Sequence, residues 1–292
     1  MKIIVTIPAY NEEKTLPKVI EEVNQAMKTL GYDYQVLVID DGSNDRTGEV
    51  AGKAGADVFY HQVNLGLAEA FRTEMKLALQ NNADIIVHID ADGQYRGKDI
   101  SKLIRPIIEK KADIVLGSRF RGHIEKMSFI KKIGNIAFSK VLTSITGKRI
   151  TDGQTGFRAF TKEVAGINII SRHTYTQEQV IKSIKSKYRL VEVPVYFAER
   201  KGKSRLIKHP LSYAAKAWIN IIRIYRDYEP LKFFGIIGGL FLFLGSLLGI
   251  LILATLINKG VVGGIPRVIL SGLFITTGIQ ILLFGFLADM KK

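Results

Sequence analysis

From Phe233 to Ile257 the chain carries no charged residue over 25 positions, and from Val268 to Ala288 none over 21. A helix needs about 20 apolar residues to cross the ~30 Å hydrocarbon core of a bilayer, so either run is long enough. The short connection, with Asn258, Lys259, Gly263, Gly264 and Pro266, makes the pair a hairpin. Two buried helices of a soluble core are the competing arrangement. Lys and Arg crowd the chain before the first run, Lys291-Lys292 close the second, and the loop between holds only Lys259 and Arg267. The positive-inside tendency then places both ends, and the main domain, in the cytoplasm. Met1-Lys2 leads straight into an apolar strand, so no signal peptide is expected. The expected protein is multi-pass in the cell membrane. Gly235, Gly238, Gly239, Gly245 and Gly249 permit close helix packing, a homo-oligomer included, but fix no number of subunits.

The net charge of +15 is concentrated. Residues 119–149 hold eight Lys/Arg against one Glu, and residues 201–232 hold eight against two acids. Two basic patches, one just before the apolar tail, point to anionic lipid head groups or a phosphorylated substrate. Nucleic acid is the rival partner, but the chain has no recognisable nucleic-acid motif, so no nucleic-acid partner is expected. With no cysteine, disulfides and thiolate metal sites are excluded.

The rest of the chain alternates strands with helices. Lys2–Pro8 reads as a strand ended by Pro8, which has no N–H for the ladder. Leu16, Val19, Ile20, Val23, Met27 and Leu30 fall at helical spacing. Gln35–Ile39 is a second buried strand ending on Asp40-Asp41, and Gly42-Ser43-Asn44-Asp45 turns into a helix from about Arg46. Asp57–His61 is a short strand, followed by a helix from Gly66 to about Gln80. The run from Asp84 stops on Asp90-Ala91-Asp92-Gly93-Gln94. Ile100, Leu103, Ile104, Ile107 and Ile108 mark a helix, Asp113–Gly117 a strand running into Ser118-Arg119, and Val191–Val195 a last strand. Uniformly apolar strands alternating with helices argue a mostly parallel α/β sheet, whose ligands bind beyond the carboxyl ends of the strands. Pro8, Tyr10, Glu12, Asp40, Asp41, Asp90, Asp92 and Arg119 would gather there.

Side chains two apart on a strand share a face, so Asp90 and Asp92 would project together. Two carboxylates that close repel unless a cation lies between them. Hard oxygen ligands suit Mg2+ or Mn2+ carrying a diphosphate, and Gln94 adds a neutral oxygen. A solvated turn is the plainer alternative. The first turn has no G-x-G-x-x-G, and no G-x-x-x-x-G-K-[ST] occurs, which argues against dinucleotide and P-loop binding.

Ile7-Pro8-Ala9-Tyr10-Asn11-Glu12-Glu13, Val38–Asp45, Asn64-Leu65-Gly66, Asp90–Gln94, Gly117-Ser118-Arg119 and Asp152–Arg158 follow one another in an order that resembles the inverting family 2 glycosyltransferases of GT-A fold. The polyprenyl-phosphate and dolichyl-phosphate sugar synthases are the most similar branch. The resemblance covers roughly residues 1–205 and implies a Rossmann-like GT-A domain there. Interfacial amphipathic helices would follow over 206–232, and two transmembrane helices (233–257, 268–288) over 233–289. It implies transfer of a sugar from GDP-mannose, UDP-glucose or UDP-N-acetylglucosamine to dolichyl or polyprenyl phosphate, with Mg2+ or Mn2+ as cofactor. A related transferase with a glycolipid or glycan acceptor, or a membrane-anchored binding protein without turnover, are the alternatives.

The resemblance also implies roles. Pro8, Tyr10, Glu12, Ile39 and Asp41 match positions at the nucleoside. Asp90, Ala91 and Asp92 match the diphosphate and its metal, Gln94 a metal ligand, and Arg119 a basic residue near the donor. Asp152 and Gln154 would bond the transferred sugar. Arg200, Lys203 and Arg205 lie in a loop that closes over the diphosphate in similar enzymes. Lys131 and Asn135 align with the acceptor-phosphate segment, although relatives often carry Arg and Ser there, and a lysine lacks the bidentate fork. Glu178 sits where the family places an acid near the acceptor, with orientation or helix capping as its roles. Asp92, Arg119 and Glu178 are the expected catalytic residues. A phosphate monoester is already anionic, with a second pKa of about 6, so it hardly needs a general base. Leu211, Ala214, Ala215, Trp218, Ile221, Ile222 and Tyr225 form the apolar face of the interfacial helices.

Overall fold

A computed structural model of the chain describes residues 1–171, 175–199, 210–262 and 264–290. The chain forms two compact units, Met1–Ala217 and Trp218–Lys292. The first runs β1 (Lys2–Ala9), α1 (Leu16–Leu30), β2 (Asp33–Asp40), α2 (Thr47–Lys53), β3 (Asp57–Tyr60), α3 (Leu67–Gln80) and β4 (Ile85–His88). A 3-10 turn at Gly97–Asp99 then leads into α4 (Ile100–Ile108), β5 (Ile114–Ile124), α5 (Phe129–Thr146), β6 (Arg158–Thr161), α6 (Lys162–Ala165), α7 (Tyr175–Lys185) and β7 (Leu190–Phe197).

Seven strands among the described residues form one sheet in the order β3-β2-β1-β4-β6-β5-β7. β1 pairs parallel with β2 and β4, β2 with β3, and β5 with β7. Only β6 runs antiparallel, against both β4 and β5. The parallel majority follows from strands that are apolar on both faces and are covered on both. On one face, α1 buries Leu16, Val19, Ile20, Val23 and Met27, and α4 buries Ile100, Leu103, Ile104 and Ile107, against Ile3, Val5, Ile7 and Val87. α1 stops at Gly31, whose φ of 71° a side chain would strain, with its N–H donating to the Met27 carbonyl. On the other face Phe71 of α3 meets Phe160 at 6.4 Å and Tyr175 at 4.9 Å.

Three of the strand ends that differ from the sequence expectation bear on the site. β1 continues through Pro8 to Ala9. The Thr6 carbonyl accepts from Ile89 and the Ala9 carbonyl from Asp41, so even-numbered residues of β1 face β4 and odd-numbered ones β2. The missing N–H of Pro8 therefore points past the last β1–β4 pair, Thr6↔His88, where no ladder bond is lost. β4 stops at His88, before both acids of the Asp-x-Asp, and β5 runs seven residues beyond Gly117. β6 was not expected. It is four residues long and starts on a buried arginine, which gives it no strand signature.

The boundary between the units falls inside α8 (Pro210–Tyr228), a single helix on which Trp218 and Ile222 are exposed and Ile224 is buried. In the second unit α9 (Pro230–Lys259) and α10 (Ile265–Asp289) are both long and apolar enough to cross a membrane. Only 6% and 17% of their most apolar windows are buried, so they are not wrapped as core helices of a soluble protein would be. They pack through small residues. Gly238 meets Gly278, Ser271 Oγ donates to the Gly245 carbonyl at 2.8 Å, and Gly285 faces Phe234. The buried positions Ser271, Gly278 and Gly285 recur every seven residues on α10, and Gly238 and Gly245 do so on α9.

Candidate active site

The loops after β1 and β2 are knitted together at the carboxyl edge of the sheet. Asn11, at a φ of 54°, donates its N–H to Ser43 Oγ, and its Oδ1 accepts from Asn44. The Glu12 N–H donates to Thr47 Oγ1 at 2.8 Å, while Glu12 Oε2 accepts from Thr15. Tyr10 is half-buried beside them; Ile39 is fully buried and pairs in register with Pro8. Asp40 accepts from the Ser43 N–H and so closes the turn. Asp41 has a heavier task. Its Oδ1 accepts from Leu65 N at 3.0 Å and its Oδ2 from Gly66 N at 2.8 Å, and His61 Nδ1 lies 2.7 Å from Oδ1. His61 is in turn tied to Thr73. Asp41 thus fastens the loop that starts α3, a role that its place in the motif does not reveal.

Because β4 ends at His88, strand alternation does not orient Asp90 and Asp92; each is placed by its own neighbours. Asp92 Oδ1 accepts from Gln94 N at 3.1 Å, a local turn that fixes its side chain. Gln94 Nε2 donates to the Ala198 carbonyl at 3.0 Å, which directs its amide oxygen away from β7. Ala91 is buried. Asp90, with a side chain 34% exposed, lies against the backbone of Gly156. A Cβ on Gly156 would stand 2.6 Å from Asp90 Oδ1 and 2.8 Å from its Cγ, so a side chain there would push the carboxylate out of its present place.

Arg119 and Asp152, expected as separate donor contacts, bind each other. The Arg119 N–H and Nε donate to Asp152 Oδ2 at 3.0 and 2.7 Å, and Nη2 donates to Oδ1 at 2.7 Å. Asp152 is fully buried and Arg119 nearly so. Burial opposes the guanidinium charge, but Tyr95, Asp152 and Asp90 outweigh it and push the Arg119 pKa up. Burial also pushes the Tyr95 phenol up, and its hydroxyl lies 3.2 Å from Thr155 Oγ1. Glu192 of β7 holds the loop that carries Asp152. It accepts from Thr151 N, Thr151 Oγ1 and Asp152 N at 2.9 to 3.1 Å. Gln154, next on that loop, is half-buried.

Glu178 faces a loop. Its carboxylate accepts from Ile170 N and Ser171 N and pairs with Lys182 at 2.7 Å, buried at the start of α7. These N–H groups belong to the preceding loop and not to the first turn of α7, and Arg72 grips the same loop through the Ile169 and Ile170 carbonyls. On α5, Lys131 is half-buried and Asn135 is turned inward, with Nδ2 donating to Met127 Sδ at 3.7 Å. Arg200, Lys203 and Arg205 lie outside the described residues, as does His173. Sequence reasoning missed Gly156, Tyr95 and Glu192. Only Gly156 carried a signal, as a glycine inside the Asp152–Arg158 motif.

Among the described residues no three His, Cys, Asp or Glu side chains come together to hold a metal ion alone. Asp90, Asp92 and Gln94 follow one another in the loop after β4, each held by different neighbours. Oxygen donors of this kind suit a hard cation that completes its shell with a diphosphate and water.

The family model described as glycosyl transferase family 2 matches residues 4–166, from β1 into the end of α6. An uncharacterized protein of Methanocaldococcus jannaschii is 36% identical over 200 residues, covering 66% of this chain and 80% of its own. The UDP-N-acetylglucosamine–dolichyl-phosphate N-acetylglucosaminyltransferase of Methanococcus voltae is 32% identical over 218 residues, covering 66% of this chain and 84% of its own. Glucosyl-3-phosphoglycerate synthase from Mycobacterium tuberculosis, solved with Mn2+, UDP and phosphoglyceric acid, shares the fold: TM-score 0.58, 18% identity, 75% of this chain and 78% of that one. With the motifs at one sheet edge and the matching model over more than half its length, the chain belongs to glycosyl transferase family 2 and is a glycosyltransferase of GT-A fold.

Proposed function

We propose that the protein transfers a sugar, with inversion, from a nucleotide diphosphate sugar to dolichyl or another polyprenyl phosphate at a membrane. The observation that carries the reading is the Arg119–Asp152 pair at the carboxyl edge of the sheet, where the loops bearing Asp41, Asp90 and Asp92 also begin, in a chain whose Methanococcus relative is named for a dolichyl-phosphate acceptor. Pro8, Tyr10, Glu12 and Ile39 line the nucleoside end of that edge, with Asp41 holding the loop beside it. Asp90 and Asp92, with Gln94, would hold Mg2+ or Mn2+ against the diphosphate, and the cation would offset the charge that develops on the leaving nucleotide. Asp152 fixes the Arg119 guanidinium by two parallel bonds, through Nε and Nη2, and the fixed charge would attract the phosphates. The acceptor oxygen is anionic before it reacts, so the protein's task is in-line placement and charge neutralisation. Lys131 on α5 supplies a cation for the acceptor phosphate, and Asn135 would have to leave Met127 to reach it. α9 and α10 anchor the chain as a multi-pass protein with the transferase in the cytoplasm.

The test is full-length protein in detergent or nanodiscs with Mn2+ or Mg2+, dolichyl phosphate and a panel of labelled nucleotide sugars. The expected product is an organic-soluble labelled lipid whose formation stops with a chelator. Labelled donors that raise the melting temperature yet yield no lipid product would overturn the acceptor. No stabilisation by any donor would overturn the reading as a whole.

A further inference from the structure

Under the donor edge lies a row of buried polar side chains for which the transfer reaction has no stated use. Thr6, His88 and Arg158 stand in register across β1, β4 and β6, and all three are fully buried, as is Glu74 on α3. Thr6 Oγ1 donates to Glu74 Oε2 at 2.6 Å, and His88 Nδ1 lies 2.6 Å from the same oxygen. Phe71 packs edge-on against the imidazole at 5.4 Å. The ring is therefore held at one nitrogen and along one face. Its other nitrogen, Nε2, is buried without a hydrogen-bond partner among the described residues and lies 3.9 Å from Asp90 Oδ1. A buried polar atom left unbonded costs about 1–3 kcal/mol and calls for an explanation, and Glu74 Oε1 and Arg158 Nε in the same row share that state. Asp90 thus rests in a slot. Gly156 is one wall, where a Cβ would displace the carboxylate, and the Nε2 edge of His88 is the floor. The open side is the third of the side chain left exposed.

Resting on the donor-site reading above, we infer that Glu74 and His88 are positioning residues for the donor. Glu74 locks the imidazole, and the locked imidazole holds the Asp90 carboxylate toward the diphosphate. Neither residue touches the sugar or its nucleotide. The pair explains why a strand otherwise built of isoleucine and valine ends on histidine, and why α3 buries a glutamate among Phe71, Met75 and Ala78.

The experiment is a double-mutant cycle read by donor binding. Full-length wild type, Glu74→Gln, His88→Gln, Asp90→Asn and the two doubles containing Asp90→Asn are titrated with the nucleotide sugar that stabilises the wild type, at fixed Mn2+. Either single change is expected to weaken donor binding about tenfold, within the range of coupling found between groups in contact. In the Asp90→Asn background the same changes are expected to add less than about twofold, because their route to the donor is gone. Steady-state rates should show the loss in the donor KM and leave the acceptor KM unchanged. Glu74→Gln keeps the shape of the glutamate and carries the cycle if His88→Gln does not fold. Donor binding within twofold of wild type in a folded single variant overturns the inference alone. So do losses that multiply with Asp90→Asn. A wild type that binds no nucleotide sugar overturns the donor-site reading and this inference with it.

Discussion

Gly156 and Glu178 show how single positions carry this site. A methyl group at Gly156 meets the Asp90 carboxylate from a rigid backbone, so the carboxylate, the partly exposed end of a side chain, is what must move. Gly156→Ala is therefore expected to cut sugar transfer at least tenfold while the melting temperature falls by only a few degrees, by radiolabelled transfer and thermal denaturation on one preparation. Glu178 behaves in the opposite way. Its oxygens are spent on Ile170, Ser171 and Lys182, so Glu178→Ala removes the partner of two partly buried N–H groups and should cost about 1–2 kcal/mol of stability. Glu178→Gln keeps an acceptor oxygen and is expected to retain measurable transfer. Complete loss with an unchanged melting temperature would restore the acid to the chemistry. The Asp152–Arg158 motif contains Gly156 and the family resemblance picks out Glu178, but the sequence does not say whether an acid faces substrate or faces its own loop. That depends on which N–H groups the neighbouring chain leaves unpaired.

Elements fasten to one another through a few polar side chains, and these give the pH and packing behaviour. Arg189, just before β7, donates its N–H, Nε and Nη2 to Asp113 at the start of β5. The hydrogen bonds from Arg189 hold the Asp113 carboxyl below its ordinary 3.8 despite partial burial. A carboxyl whose folded pKa is depressed contributes stability above its unfolded value and loses it as pH falls through the folded one. The stability gap between wild type and Asp113→Asn is thus expected at pH 6 and should close on acidification below 3.8, in urea melts across pH. The gap will be small, since the arginine side chain is 54% exposed and solvent screens the pair. In the apolar pair, Gly278→Leu would drive a side chain into Leu242 and the Gly238 carbonyl and part the helices. Cysteines placed at Phe241 and Phe274, whose rings are 5.6 Å apart, should crosslink in the parent chain and much less in the variant. The chain has no native thiol to confuse the reading.

For the molecule as a whole, α9 and α10 predict that the full chain stays with membranes through an alkaline carbonate wash; release into the supernatant would contradict the spans. Apolar run length was enough to mark those helices, and alternation of buried strands with 3.6-period helices was enough for a mostly parallel sheet, because both signals are local and repeat along the chain. Six short motifs in order were enough for the family. β6 was hidden, since four residues that begin on Arg158 become a strand only between β4 and β5. The sequence names Arg119 and Asp152 as two separate polar residues, whereas the fold joins them as one ion pair. Asp90 likewise gets its slot from Gly156, 66 positions away, and from an imidazole held by a glutamate on another helix. Periodicity records which face of an element is apolar. Which polar groups meet across elements is decided by desolvation and hydrogen bonding once the chain has packed.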